Sequence, residues 1–133
     1  MNTKLFSRLF ILLALLAVLG WIVGCAPQDI SVTGADNGKS IELTQGQVLV
    51  ITLDSNATTG YEWDIAEFDD QILIPQGEPE YIAPDTDLVG AGGQEVYRFE
   101  CVGKGQTTLT LIYHQPFDPA DPVETFTLQI TGK

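Results

Sequence analysis

After position 28, apolar and polar residues alternate with a period of two, and this alternation defines the elements of the chain. Asp29–Thr33, Lys39–Leu43, Gln47–Leu53, Tyr61–Ile65, Glu95–Val102, Thr107–Tyr113 and Glu124–Ile130 each read as a strand, with Ile72–Ile74 a shorter apolar piece. Side chains two apart share a face of a strand. Leu49, Ile51 and Leu53 therefore fall together, as do Leu109, Leu111 and Tyr113, and Phe126, Leu128 and Ile130. Tyr61 and Trp63 share a face of their strand and read as core. No stretch sustains a 3.6-residue period, and "DIAEFDDQI" has room for one helical turn at most. Gly- and Pro-rich gaps, "TQGQ", "VGKGQ" and "QPFDPADP", punctuate the strands. Seven or eight short strands in about 100 residues predict an all-β antiparallel sandwich. The Cys…Trp…Cys pattern of an antibody domain is missing.

The first 28 residues follow a different logic. Lys4 and Arg8 precede Leu9 to Val23, an uncharged run of 15 residues. That is the length of an export signal and short for a membrane span. The run ends in "IVGC", Ile22 to Cys25, which resembles a bacterial lipobox. Cleavage before Cys25 and lipidation of its thiol is one reading; an uncleaved anchor helix is the other. The chain then divides into a lipoprotein signal peptide at 1–24, a short lipidated tether at 25–28 and a single domain at 29–133. Both readings place the domain outside the cytoplasm at a membrane surface, in the periplasm or on the outer face of the cell envelope.

Charge and composition narrow the chemistry. Of six basic residues, Lys4 and Arg8 fall in the leader, which leaves four against 18 acidic ones. No basic cluster exists to neutralise phosphates, so nucleic acid is excluded as a partner. His114 is the single histidine. A multi-histidine zinc site is therefore impossible, and a Ser-His-Asp triad would depend on His114 with no "GxSxG" elbow present. Nothing in the residues calls for a cofactor. Asp85 with Asp87, and Asp118 with Asp121, are either solvated loop acids or oxygen donors to Ca²⁺. Cys101 lies in phase with Tyr97 and Phe99, which fits a buried small hydrophobe or, more sharply, a reactive thiol.

Three loops stand out for length or content: "DSNATTG", "EPEYIAPDTDLVGAGGQ" and "HQPFDPADP". Long loops on a compact domain tend to carry function. Their motifs resemble the chagasin-type inhibitors of papain-family cysteine proteases. In that family the first loop carries Asn-Pro-Thr-Thr-Gly-aromatic. Here Asn56, Thr58, Thr59, Gly60 and Tyr61 match it, and Ala57 replaces the proline. The second loop carries Gly-x-Gly-Gly, matched by Gly90, Ala91, Gly92 and Gly93. The third carries Arg-Pro followed by Trp or Phe; here it is Gln115, Pro116 and Phe117, without the arginine. The resemblance spans the whole mature domain, with the motifs in the family's order.

The resemblance implies an immunoglobulin-like β-sandwich with three loops projecting from one end. It implies a wedge that fills a protease cleft reversibly, with the first loop over the catalytic cysteine and the others flanking it. The protein would then be an inhibitor rather than an enzyme, and a monomer. The residue types suit the role. Thr58 and Thr59 offer hydrogen bonds to a polar centre. Gly60 permits a positive φ, and Gly90, Gly92 and Gly93 would let the main chain lie flat against a cleft wall. Phe117 behind Pro116 would be an aromatic anchor, unless it folds back to plug the end of the sandwich. The competing readings are a non-inhibitory binding module and a purely structural lipoprotein domain.

Overall fold

The computed structural model describes residues 24–133. The export-signal reading of 1–24 lies, apart from Gly24, outside the described residues. Nine strands follow: β1 (Ile30–Thr33), β2 (Ser40–Leu43), β3 (Val48–Ser55), β4 (Glu62–Glu67), β5 (Leu73–Pro75), β6 (Glu80–Ile82), β7 (Gly93–Cys101), β8 (Gly105–His114) and β9 (Glu124–Gly132). One sheet has the order β1-β3-β7, with β5 and β6 both on the outer edge of β7; the other has the order β2-β9-β8-β4.

The period-two positions explain why the sheets stack. Leu49, Ile51, Leu53 and Phe99 of one sheet are buried against Leu109, Leu111, Phe126, Leu128 and Ile130 of the other. Each such side chain removed from water contributes roughly 1.5–3 kcal/mol. Trp63 closes the core near one end, and its indole Nε1 donates to the Asp54 carbonyl at 2.9 Å, so the ring is buried with its polar atom satisfied. Cys101 is fully buried, its Sγ facing the carbonyl oxygens of Leu43 and Gly103. That is the small-hydrophobe reading, and a reactive, accessible thiol is ruled out by position.

Two features depart from the sequence-based expectation, and a third agrees with it. First, the sandwich is not wholly antiparallel, because β1 pairs with β3 and β2 with β9 in parallel. The cause is the path of the N-terminal segment. After β1 the chain turns through a single 3-10 turn at Gly34–Asp36, crosses to the other sheet as β2, and returns as β3. One reversal in the opposite sheet leaves β1 and β3 pointing the same way. Second, the described residues form nine strands rather than seven or eight. The extra one, β6, is made of Glu80, Tyr81 and Ile82, all exposed, so no apolar alternation announced it. Third, as the sequence allows, "DIAEFDDQI" forms no helix beyond a turn. Asp64–Glu67 continues β4 with a bulge between Ile65 and Glu67, and the rest is a turn in which Ile72 N and Leu73 N donate to the Asp69 carbonyl.

Register decides where the loops lie. Ser55, the last residue of β3, pairs with Gly93, the first of β7. His114, the last of β8, pairs with Glu62, the first of β4. The segments after β3, before β7 and after β8 therefore leave the sandwich at one end. The turn Thr44–Gln47, Val102–Gly103 and the C-terminal Lys133 lie at the other, tied by Gly46 N to Cys101 O and Gln45 N to Lys133 O.

Candidate functional site

Loop 1 is built by the local chemistry of "NATTG". Asn56 is an N-cap: its Oδ1 accepts from Thr58 N at 3.1 Å and from Thr58 Oγ1 at 2.6 Å. Ala57–Thr59 then make one 3-10 turn, with Thr59 N donating to the Asn56 carbonyl. Gly60 ends it in the left-handed region at φ +76°, where a side chain would be strained. Thr59 Oγ1 also donates to the Asn56 carbonyl at 2.6 Å. The loop is thus a preformed, exposed knuckle.

Loop 2 runs from β6 to β7. Gly90 takes φ +81°, and its carbonyl accepts from Asn56 Nδ2 at 3.0 Å. That bond ties loop 2 to loop 1. Leu88 and Val89 stand just before it, 76% and 104% exposed. Gly92 lies beside Asn56 and the Ser55 carbonyl. Gly93 is different, being buried within β7 and paired with Ser55. A Cβ there would sit 2.2 Å from the Ile82 carbonyl oxygen and 2.7 Å from Tyr81 Oη. Its missing side chain makes room for β6, and no surface remains for a partner.

Loop 3 opens with a tight turn. Asp118 N donates to the Gln115 carbonyl at 2.9 Å, which places Pro116 and Phe117 at the two central positions. Proline's fixed φ suits the first of these. Phe117 is 80% exposed at the tip, so it does not plug the end of the sandwich. Gln115 is half-buried at the root of the turn. The neighbouring His114 is buried, with Nδ1 2.7 Å from the Gln115 carbonyl; Nε2 has no hydrogen-bond partner among the described residues and lies 3.8 Å from Asp64 Oδ2. Enclosed this way, His114 cannot reach an external substrate as a base.

A polar frame supports the knuckle. Glu95 Oε1 accepts from Ser55 Oγ and, at 3.5 Å, from Trp63 N; Tyr97 Oη donates to the Trp63 carbonyl at 2.7 Å. Burial, with the Glu95 charge next in weight, pushes the Tyr97 phenol well above its ordinary pKa and keeps it a donor. On the opposite sheet, Tyr113 Oη accepts from Asn56 N at 3.0 Å.

Asn56 to Gly60, Gly90 to Gly92 and Gln115 to Phe117, singled out in the sequence, therefore come together at one end. Gly93 joins them as scaffold. Sequence reasoning did not single out Leu88 and Val89. The signal was there, as an apolar pair inside a loop with no strand phase. Glu95 and the Tyr113 hydroxyl left no signal, because their partners are distant in sequence. Among the described residues no group of three or more His, Cys, Asp and Glu side chains converges as a metal site would.

Known proteins resemble this chain in sequence and in fold. The profile described as "Chagasin family peptidase inhibitor I42" matches residues 42–130. Chagasin of Trypanosoma cruzi is 32% identical over 104 residues, covering 74% of this chain and 94% of its own length. The crystal structure of a cysteine protease inhibitor, EhICP2, from Entamoeba histolytica superposes with a TM-score of 0.73 at 19% identity, over 83% of this chain and all of that one. PbICP-C, solved in complex with falcipain-2, gives a TM-score of 0.58 at 18% identity, over 80% and 91% of the two chains. All three loops fall within the matched residues 42–130, and the chain belongs to the chagasin family of peptidase inhibitors.

Proposed function

We propose that the domain is a reversible, monomeric inhibitor of papain-like cysteine proteases that fills the active-site cleft with its three loops. The observation that carries this is the combination of exposed apolar tips with bonded roots. Leu88, Val89 and Phe117 present naked apolar surface, while Asn56 holds loops 1 and 2 together. A surface that is apolar at its tips and already ordered binds with little entropic cost. Loop 1, ending in the Thr58–Thr59–Gly60 knuckle, is the central contact; Gly90 to Gly92 and the Gln115–Pro116–Phe117 turn flank it. The main chain around Ala91 lies against the cleft wall. Titration against papain tests the reading, with stoichiometric, active-site-competitive inhibition the expected result. Binding without inhibition would convert the wedge into a non-inhibitory docking module.

Loop 1 carries a quantitative prediction. Family members have proline where this chain has Ala57. Asn56 has φ −127° and ψ 93°, extended backbone just short of the ψ range favoured before proline, and the Ala57 N–H makes no hydrogen bond among the described residues. Ala57→Pro therefore breaks no hydrogen bond, sits at the first position of the turn where proline is tolerated, and asks only a small opening of the Asn56 ψ. It should stiffen the free loop by roughly 0.4–1 kcal/mol and tighten inhibition about two- to fivefold. An inhibition constant that rises in a folded Ala57→Pro protein would show that loop 1 must bend to bind.

The same proposal extends to the membrane. Lipid on Cys25 would hold the domain at the cell envelope. Gln28 and Pro27 support this arrangement, since the Gln28 carbonyl accepts from Gln47 Nε2 at 2.6 Å and Pro27 lies beside Gly46. The tether thus leaves from the end opposite the loops, and an anchored domain would present its wedge to the aqueous phase. Cys25→Ser should shift the protein from the membrane to the soluble fraction with inhibition unchanged. A wild-type mature mass without added lipid would remove the anchor from the proposal.

A further inference from the structure

Tyr113 belongs to the four-stranded sheet, yet its hydroxyl reaches the loop that continues the other sheet. Its Oη accepts the Asn56 N–H at 3.0 Å, just where β3 ends and the knuckle begins. Its ring packs against two others at the start of β4, with centroids 5.6 Å from Tyr61 and 5.1 Å from Trp63. Two residues further along the chain, the turn of loop 3 begins at Gln115. One side chain therefore spans the open end of the sandwich. It joins the root of loop 3 to the root of loop 1, and Asn56 passes the constraint to loop 2 through Gly90.

We infer that Tyr113 is a positioning residue for inhibition: its hydroxyl acts as a strut that holds the three loops in the binding arrangement before the protease arrives. This rests on the inhibitor reading above. The physical argument concerns Asn56, three of whose hydrogen bonds tie it to three separate segments. Its backbone N–H goes to Tyr113, its Oδ1 caps the turn at Thr58 N, and its Nδ2 goes to Gly90 O. All three require one backbone orientation. Without the hydroxyl, the Asn56 N–H must turn toward water, and a rotated Asn56 cannot cap loop 1 and reach Gly90 at once. The binding-competent fraction of free molecules falls, and apparent affinity falls in proportion. A bound protease would itself hold the loops, so the loss belongs to association rather than dissociation.

The test is Tyr113→Phe, which keeps the ring against Tyr61 and Trp63 and removes only the oxygen. Against papain, the association rate should drop about 5- to 10-fold, the worth of one such hydrogen bond, with the dissociation rate within about twofold of wild type. Amide exchange at Asn56 should accelerate. Adding Ala57→Pro should restore most of the lost affinity, since it stiffens the same loop by another route, and its benefit should exceed that in the wild-type background. An increase confined to dissociation would mean that Tyr113 touches the protease directly, and would overturn the strut. Equal benefit from Ala57→Pro in both backgrounds would overturn it too. Should Tyr113→Phe fail to fold, the hydroxyl is part of the fold and the inference fails. Rapid exchange of the Asn56 amide in the wild-type protein also sinks it, and that measurement stands even if papain proves not to be inhibited.

Discussion

Phe117→Ala should weaken inhibition of papain about 10- to 150-fold and leave the melting temperature unchanged. The ring is 80% exposed at the tip of the Gln115–Asp118 turn, so the fold does not depend on it. In a complex it would be withdrawn from water, and burial of a phenyl side chain contributes roughly 1.5–3 kcal/mol. That free energy converts to the stated range of affinity. The loss should appear as faster dissociation, because encounter depends on the whole loop end and not on one ring. Phe117→Trp should retain most of the affinity, since it restores aromatic area at the same turn position. A lower melting temperature with inhibition intact would show that the ring serves the sandwich in solution. The contrast with Tyr113→Phe is diagnostic: an anchor changes the rate of leaving, a strut the rate of arriving.

The core could be read almost entirely from the sequence because a two-residue period is a property of contiguous residues. Leu49, Ile51 and Leu53, or Phe126, Leu128 and Ile130, declare their common face without reference to anything distant, and all are buried. The edges were less legible. Exposed β6 has no inward face of its own and exists because β7 offers it hydrogen bonds, a relation between residues 80–82 and 94–96 that alternation cannot show. The parallel pairings of β1 with β3 and of β2 with β9 were hidden for a similar reason, since direction follows from which sheet each strand joins. In the site, the motifs located the loops, and turn chemistry within "NATTG" and "QPF" was local enough to interpret. The ties between loops were not: Asn56 to Gly90 and Asn56 to Tyr113 span 34 and 57 residues. Gly93 shows the limit best. From sequence it is one of four residues in a flexible-looking motif, and only the position of Ile82 separates it from Gly90 and Gly92.

Gly93→Ala is therefore expected to damage the fold rather than only the binding surface. The added Cβ would lie 2.2 Å from the Ile82 carbonyl oxygen, a backbone atom that no rotamer change can move. Ile82 pairs with Gln94, so relief requires β6 to separate from the edge of β7. Overpacking of this kind costs about 1–3 kcal/mol. For a domain of this size each kcal/mol lowers the melting temperature by roughly 4–8 °C. Loop 2 follows β6, so displacement of Tyr81 and Ile82 should also release Leu88, Val89 and Gly90 from their places and raise the inhibition constant. Gly92→Ala is the control one residue away. Its Cβ would meet the Ser55 carbonyl at 3.4 Å, ordinary van der Waals contact, and its stability should stay near wild type. Tyr81→Ala separates the two obstacles. It removes the hydroxyl at 2.7 Å but leaves the carbonyl, so the double variant Gly93→Ala/Tyr81→Ala should remain destabilised relative to Tyr81→Ala alone. If Gly93→Ala instead melts with the wild type and loses only inhibition, the glycine faces the protease after all, and the role assigned here to β6 is wrong.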